Sequence, residues 1–198
     1  MSEQYIITIS REFGSLGRPI ARRMSEILGG MYYDRDIVEE VSKQLQLPVP
    51  TISDVEERAP GSYFSMRFPL GNMTSDLQNK VFRAQQDIIT ELADRESCII
   101  VGRCADYVLR EKKNLMRVYI YTSYENKYDN CVNNLAMTPR EAKKMIRDVD
   151  QARIAYHMRY AGYMPDENKD IQIDSAFLGV EGTAWYLSQA AKHRFGVE

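Results

Sequence analysis

Tyr5-Ile6-Ile7-Thr8-Ile9, followed at once by Ser10-Arg11-Glu12-Phe13-Gly14-Ser15-Leu16-Gly17-Arg18-Pro19, is an apolar run of strand length that turns through two glycines into a helical pattern. A buried strand that turns into a helix gathers backbone N–H groups at the turn. The positive end of the helix dipole adds to them, so the layout suits a bound phosphate. The common spelling of such a loop is G-x-x-x-x-G-K-[ST], with the Lys on phosphate oxygens and the hydroxyl on magnesium. Counting back from Gly17, Glu12 holds the first glycine's place, Arg18 replaces the Lys and Pro19 replaces the hydroxyl residue. Gly14 and Gly17 permit close backbone approach, and Ser15 offers a hydroxyl. Arg18 stays cationic and can grip phosphate with two donors, though not as a compact ammonium does. Pro19 suits a first helical turn but removes one N–H. An ordinary strand-to-helix turn remains the alternative reading.

The rest of the chain bounds what such a loop can serve. With 198 residues, 44% hydrophobic and 27% charged, the sequence suits one globular domain with a sizeable core. A formal net charge of −2 gives no basic field for nucleic acid or an anionic membrane, so anion binding must come from locally placed Arg and Lys. Cys98, Cys104 and Cys131 are odd in number and lack metal-type spacing, which reads as free thiols in a reducing compartment. No leader-like or membrane-length apolar run stands out, so a cytoplasmic location is expected.

Further apolar runs of strand length occur at residues 97–101, 116–121 and 171–174, with a weaker one at 31–33. Their near-continuous apolarity suits strands covered on both faces. Helical patterns lie between them. Ile20, Ala21, Met24, Ile27 and Leu28 form a stripe stopped by Gly29-Gly30, and Leu77, Val81, Ala84, Ile88 and Leu92 form another over 75–94. Ser75 with Gln78 fits a capping box there. Thr138-Pro139-Arg140-Glu141 predicts a helix running to about Ala161 and ending at Gly162, and a last helix is expected over 180–192. Strands alternating with helices predict an α/β fold. Pro48, Pro50, Pro60, Gly61, Pro69 and Gly71 mark 46–74 as a variable insert suited to cover a site.

Three further clusters could carry chemistry. Gly102-Arg103-Cys104-Ala105-Asp106 follows a strand directly, which puts Arg103 at the rim where α/β sheets bind ligands. It serves an oxyanion or pairs with an acid such as Asp106. On the helix after Thr138, Lys143, Arg147, Asp150, Arg153 and His157 share a sector of about 120°. That face is either solvated or brought over transferring phosphates. His157 has no evident partner acid and reads as a surface or cap residue. In Tyr32-Tyr33-Asp34-Arg35-Asp36, either Asp could accept from a base or ribose or cap a helix over 37–45, the cap being favoured for Asp36.

Taken in order, these segments resemble the cytidylate kinase-like family within the P-loop nucleoside monophosphate kinases. The resemblance is carried by residues 9–18, Tyr33-Asp34-Arg35-Asp36, Val101-Gly102-Arg103-Cys104-Ala105-Asp106-Tyr107, Asp148-Val149-Asp150-Gln151-Ala152-Arg153 and residues 173–182. It implies a three-layer P-loop NTPase fold: a parallel sheet with helices on both faces and a lid helix. The core would be 1–45, 75–122 and 170–198, with the insert at 46–74 and the lid at 123–165. It further implies ATP with Mg²⁺ as donor and a nucleoside monophosphate such as CMP or dCMP, or a related small molecule, as acceptor. Ser10, Arg11, Gly14, Ser15, Leu16, Gly17 and Arg18 would hold donor phosphates. Asp34, Arg103, Asp106, Arg147, Asp150 and Arg153 would face the acceptor, with Arg18, Arg103 and Arg153 catalytic. Cys104 stands where the family's G-R-D motif has its Asp, and Pro19 where it has small or hydroxyl residues. A protein that senses a nucleotide or scaffolds a partner is the competing expectation.

Overall fold

The computed structural model describes residues 4–49, 51–52 and 73–197. Five strands, β1 (Ile6–Arg11), β2 (Met31–Tyr33), β3 (Cys98–Val101), β4 (Leu115–Tyr121) and β5 (Ile171–Asp174), form one sheet in the order β2-β3-β1-β4-β5. Every neighbouring pair is parallel, with β1 at the centre: Ile7 lies beside Ile99 on one side and Met116 on the other. Parallel strands need crossover connections, and the helices supply them.

The apolar strand runs are continuous because both faces are covered. On one face, Ile7, Ile9, Val101, Met116 and Val118 pack with Ile20, Ala21 and Met24 of α1 (Gly17–Leu28) and with Ala184, Leu187 and Phe195 of α7 (Ser175–Phe195). On the other, Ile6, Ile100 and Leu115 pack with Ile37 and Val41 of α2 (Arg35–Leu45) and with Val81, Ala84 and Ile88 of α3 (Met73–Arg95). Alternate residues of β1 thus feed opposite cores, which makes three layers. Burying an Ile side chain contributes about 2 kcal/mol, so the sheet's Ile-rich strands dominate the stabilisation.

Local signals set several boundaries. Gly29 in the left-handed region ends α1, its N–H bonding the Ser25 carbonyl. The capping box at Thr138 forms in full and opens α6 (Pro139–Ala161), which Gly162 ends at φ 81. Some expectations need correction. α3 starts at Met73, so Ser75 lies inside it and does not cap it. α2 starts at Arg35, so Asp36 sits in its first turn and Asp34 holds the cap position. The last helix starts at Ser175, because Asp174 accepts from the Ala176 N–H, and it kinks at Gly179. The insert expected at 46–74 falls largely outside the described residues.

Two elements complete the rim at the carboxyl ends of the strands. A short α4 (Ala105–Val108) follows β3, and α5 (Tyr124–Asp129) follows β4 and continues as a π-helical turn over Asn130–Asn134. This turn joins α6 around Cys131, Ala142 and Ile146, with Phe13 packed against them. α6 thereby lies next to the β1–α1 loop.

Candidate phosphate site

The last residue of β1 sets the site. Ile6 to Ser10 are buried, and the strand then carries the long side chain of Arg11 to the rim. Gly102 makes room for it, since a Cβ there would strike the Arg11 guanidinium, and the φ of +81 at Gly102 also disfavours a side chain. Arg18 comes from the first turn of α1, Arg103 from the turn after β3, and Arg153 from α6. All four line one cavity of about 140 Å³ with Ser10 and His157. Met145, Val149 and Tyr156 of α6 supply apolar wall.

Asp34, at the end of β2, holds this cluster together. Its carboxylate is 4% exposed, forms an ion pair with Arg18 Nε at 2.6 Å and accepts from the Arg103 guanidinium at 3.2 Å, and the Arg11 guanidinium stands 3.9 Å away. Burial pushes the Asp34 carboxyl up, but Arg11, Arg103 and Arg18 together outweigh this and leave it below the ordinary value. Asp150 stands 3.9 Å from the Arg153 guanidinium, so two carboxylates face four guanidiniums. Burial above all, then repulsion by Arg153, Arg103 and Arg18, against attraction by Asp34, depresses the Arg11 pKa well below its ordinary value. A guanidinium stays charged in proteins, so an anion bound beside Arg11 would offset its burial.

The glycine loop itself is engaged elsewhere. Gly14 has φ +77, but what it approaches is protein: a Cβ would sit 2.8 Å from the Lys127 carbonyl, and its own carbonyl accepts from Asn130 Nδ2. Ser15 is buried and donates to the Glu12 carbonyl at 2.9 Å, which corrects the expectation of a hydroxyl aimed at phosphate. Leu16 takes the left-handed φ of 58, and α1 starts at Gly17 with a helical turn that leaves N–H groups of Gly17 and Arg18 without intrahelical partners. Gly14, Ser15, Leu16 and Gly17 build the turn, while Ser10, Arg11 and Arg18 line the cavity.

The expected acceptor residues divide. Arg103 and Arg153 reach the cavity, and Arg153 also donates to the Arg11 carbonyl at 3.1 Å. Asp150 ties α6 to the loop, accepting from the Phe13 N–H at 2.6 Å and from Lys127 Nζ at 3.1 Å. Lys127 also pairs with Glu12 at 2.9 Å. Arg147 is exposed and bonds Asp148, so it does not join the cavity.

Asp106 is buried behind the cavity. It accepts from Lys169 Nζ at 2.7 Å and lies 3.2 Å from His157 Nε2. Burial raises its carboxyl, yet the His157 hydrogen bond and the Lys169 charge bring it down to about 2. His157 is therefore no surface residue: it is buried, and its Nδ1 meets the Tyr163 carbonyl at 2.9 Å. Fifty-one residues separate it from Asp106, so no local spacing announces the pair.

This geometry can be set beside known proteins. The family model described as "Cytidylate kinase-like family" matches residues 6–176. The chain belongs to the cytidylate kinase-like family. Its fold matches an uncharacterized protein from Eubacterium ventriosum at TM-score 0.68 and 22% identity, covering 96% of this chain and 98% of that one. A gluconokinase from Sinorhizobium meliloti matches at TM-score 0.56 and 14% identity, covering 98% of each chain. Shikimate kinase from Acinetobacter baumannii, in complex with shikimate, matches at TM-score 0.53 and 13% identity, covering 96% and 91%. At these identities the likeness is one of fold. No curated protein matches the chain by sequence.

P-loop kinases generally work with Mg²⁺, so its fit can be tested on the donors present. Pro19 is exposed on α1 with no hydroxyl to offer, Ser15 is committed to Glu12, and Asp34, Asp150 and Asp106 are each held by cationic side chains. Among the described residues, no three His, Cys, Asp or Glu gather to hold an ion. In this cytidylate kinase-like protein Ser10 lines the cavity with a hydroxyl that no group among the described residues engages, so Ser10 would be the residue to hold a magnesium ion brought in by the phosphates.

Proposed function

We propose that this protein is a nucleotide-binding phosphotransferase that moves a phosphoryl group from ATP to a small acceptor, of which a nucleoside monophosphate such as CMP or dCMP is the first to try. One observation carries the reading: four guanidiniums from four separate segments converge on one cavity, with the carboxylates of Asp34 and Asp150 beside them. Phosphoryl transfer needs little covalent help from a protein. It needs in-line positioning and positive charge where negative charge spreads in the transition state. Arg18 would hold donor phosphates beside the first turn of α1. Arg103 and Arg153 would clamp the transferring group from opposite walls, and the apolar side of α6 would exclude water. Asp34 and Asp150 would position the acceptor end, with α6 acting as the lid.

The family membership and the kinase folds of the similar structures support this reading. A cytoplasmic site of action belongs to it, consistent with the three buried free thiols and with no helix, among the described residues, long and apolar enough to cross a membrane.

Pro19 favours one second reading, a phosphate or nucleotide sensor without turnover. The two separate in one assay. Pure protein is incubated with ATP, Mg²⁺ and a panel of nucleoside monophosphates and small hydroxyl acceptors. Acceptor-dependent ADP formation is expected, and its absence with every acceptor would sink the phosphotransferase.

A further inference from the structure

We propose that the outer face of α7 is the surface through which two copies of this chain pair about a two-fold axis. A helix at the surface normally turns a polar face to water, and this one does not. Trp185, the only tryptophan of the chain, is 59% exposed, Tyr186 49% and Phe177 82%. The inner face of the helix is spent on the core through Ala184, Leu187, Ala191 and Phe195, and Arg23 of α1 holds its flank by bonding Glu181 at 2.8 Å. Leu178 lies over Gly182, where a Cβ would stand 2.9 Å from the Leu178 Cβ, so the missing side chain lets the leucine fold down along the helix. The exposed rings with Leu178 offer about 400 Å² of apolar surface. That is about half of what each side of a standard interface buries, with a polar rim left to complete it.

The charges beside these rings select a second copy of the same helix as the occupant. Glu181 lies four residues before Trp185, and Lys192 lies seven residues after it. At 100° per residue both fall within about 40° of Trp185 and on the same side of it. The Glu181 side chain is 75% exposed despite its bond to Arg23. Glu181 and Lys192 are also equally far from the point midway between Tyr186 and Leu187. Two α7 helices laid antiparallel across a two-fold axis at that point set Glu181 of each against Lys192 of the partner subunit. Trp185 and Tyr186 then stand beside the axis, at the centre of the contact, where aromatic anchors contribute most. A two-fold contact requires such self-complementarity, with acid and base equally far from the axis, whereas an unrelated partner does not.

Sedimentation equilibrium of the full chain, with Trp185 fluorescence read over the same dilution series, tests this. The native protein is expected to be a dimer at about 100 µM, with emission moving to longer wavelength as dilution uncovers the ring. Trp185→Asp should be monomeric at that concentration and keep its far-ultraviolet circular dichroism, since the ring takes no part in the core. Glu181→Lys and Lys192→Glu should each weaken association at least about tenfold. An equimolar mixture of these two variants should pair as tightly as the native protein, because every opposed pair is then of opposite sign. A native monomer at about 100 µM, or a dimer that Trp185→Asp leaves intact, would overturn the proposal. So would a mixture that associates no more tightly than either charge variant alone.

Discussion

Arg18 Nε lies 2.6 Å from Asp34 Oδ2, joining a side chain that is 53% exposed to one that is 4% exposed. The buried end of this pair is also held by Arg103, while the open end faces the cavity. Arg18 can therefore turn to a ligand without uncovering an unpaired carboxylate.

Arg18→Ala should weaken tripolyphosphate binding about tenfold, the loss expected for a charge-assisted hydrogen bond. The melting temperature should barely move, because the side chain is half exposed and its partner keeps Arg103. Titration calorimetry with a thermal melt reads both. Unchanged affinity would reduce the loop to a turn.

Asp34→Asn leaves Arg11, Arg18 and Arg103 facing one another without their shared anion. The variant should melt lower than the native protein, by an amount corresponding to about 3 kcal/mol. Added phosphate should raise its melting temperature more than the native protein's, since an external anion then fills the vacated role. Equal phosphate shifts in the two proteins would mean that Asp34 and the ligand do not share the same guanidiniums.

Gly102→Ala should cost about 1–2 kcal/mol from the positive φ alone and should push the Arg11 guanidinium from its place. Phosphate affinity should then fall together with stability in urea titrations. A variant destabilised but undiminished in binding would remove Arg11 from the site.

Asp106 sets an acid limit. Its folded pKa, about 2, lies below the ordinary carboxyl value. The stability it contributes is therefore present above about pH 4 and is lost as pH falls toward 2. That contribution is about 2 kcal/mol. Asp106→Asn, which leaves Lys169 buried without its partner, should destabilise the protein by about 3 kcal/mol at neutral pH and flatten the acid limb of its urea midpoint. An acid limb as steep in the variant would assign the loss to other carboxylates.

The sheet was legible because strands covered on both faces are apolar residue after residue, and α6 because Thr138 and Glu141 write a capping box in adjacent positions. Arg103 was legible from its place after a strand. The packing of the site was not. Gly14 reads as room for a phosphate, yet it admits the Lys127 backbone, a partner more than a hundred residues away. His157 reads as solvated because helical spacing shows only its neighbours on α6, whereas Asp106 and the Tyr163 carbonyl reach it through the fold. Arg11 entered only through the family resemblance, although a charged residue closing a buried strand was a local signal for it.

The central claim is that the four guanidiniums form one oxyanion site. Crystals soaked in tungstate and measured at the tungsten absorption edge locate a bound oxyanion directly. The account predicts an anomalous peak within hydrogen-bonding distance of Arg11, Arg18 and Arg103. Peaks only elsewhere on the protein, with none in this cavity, would contradict it.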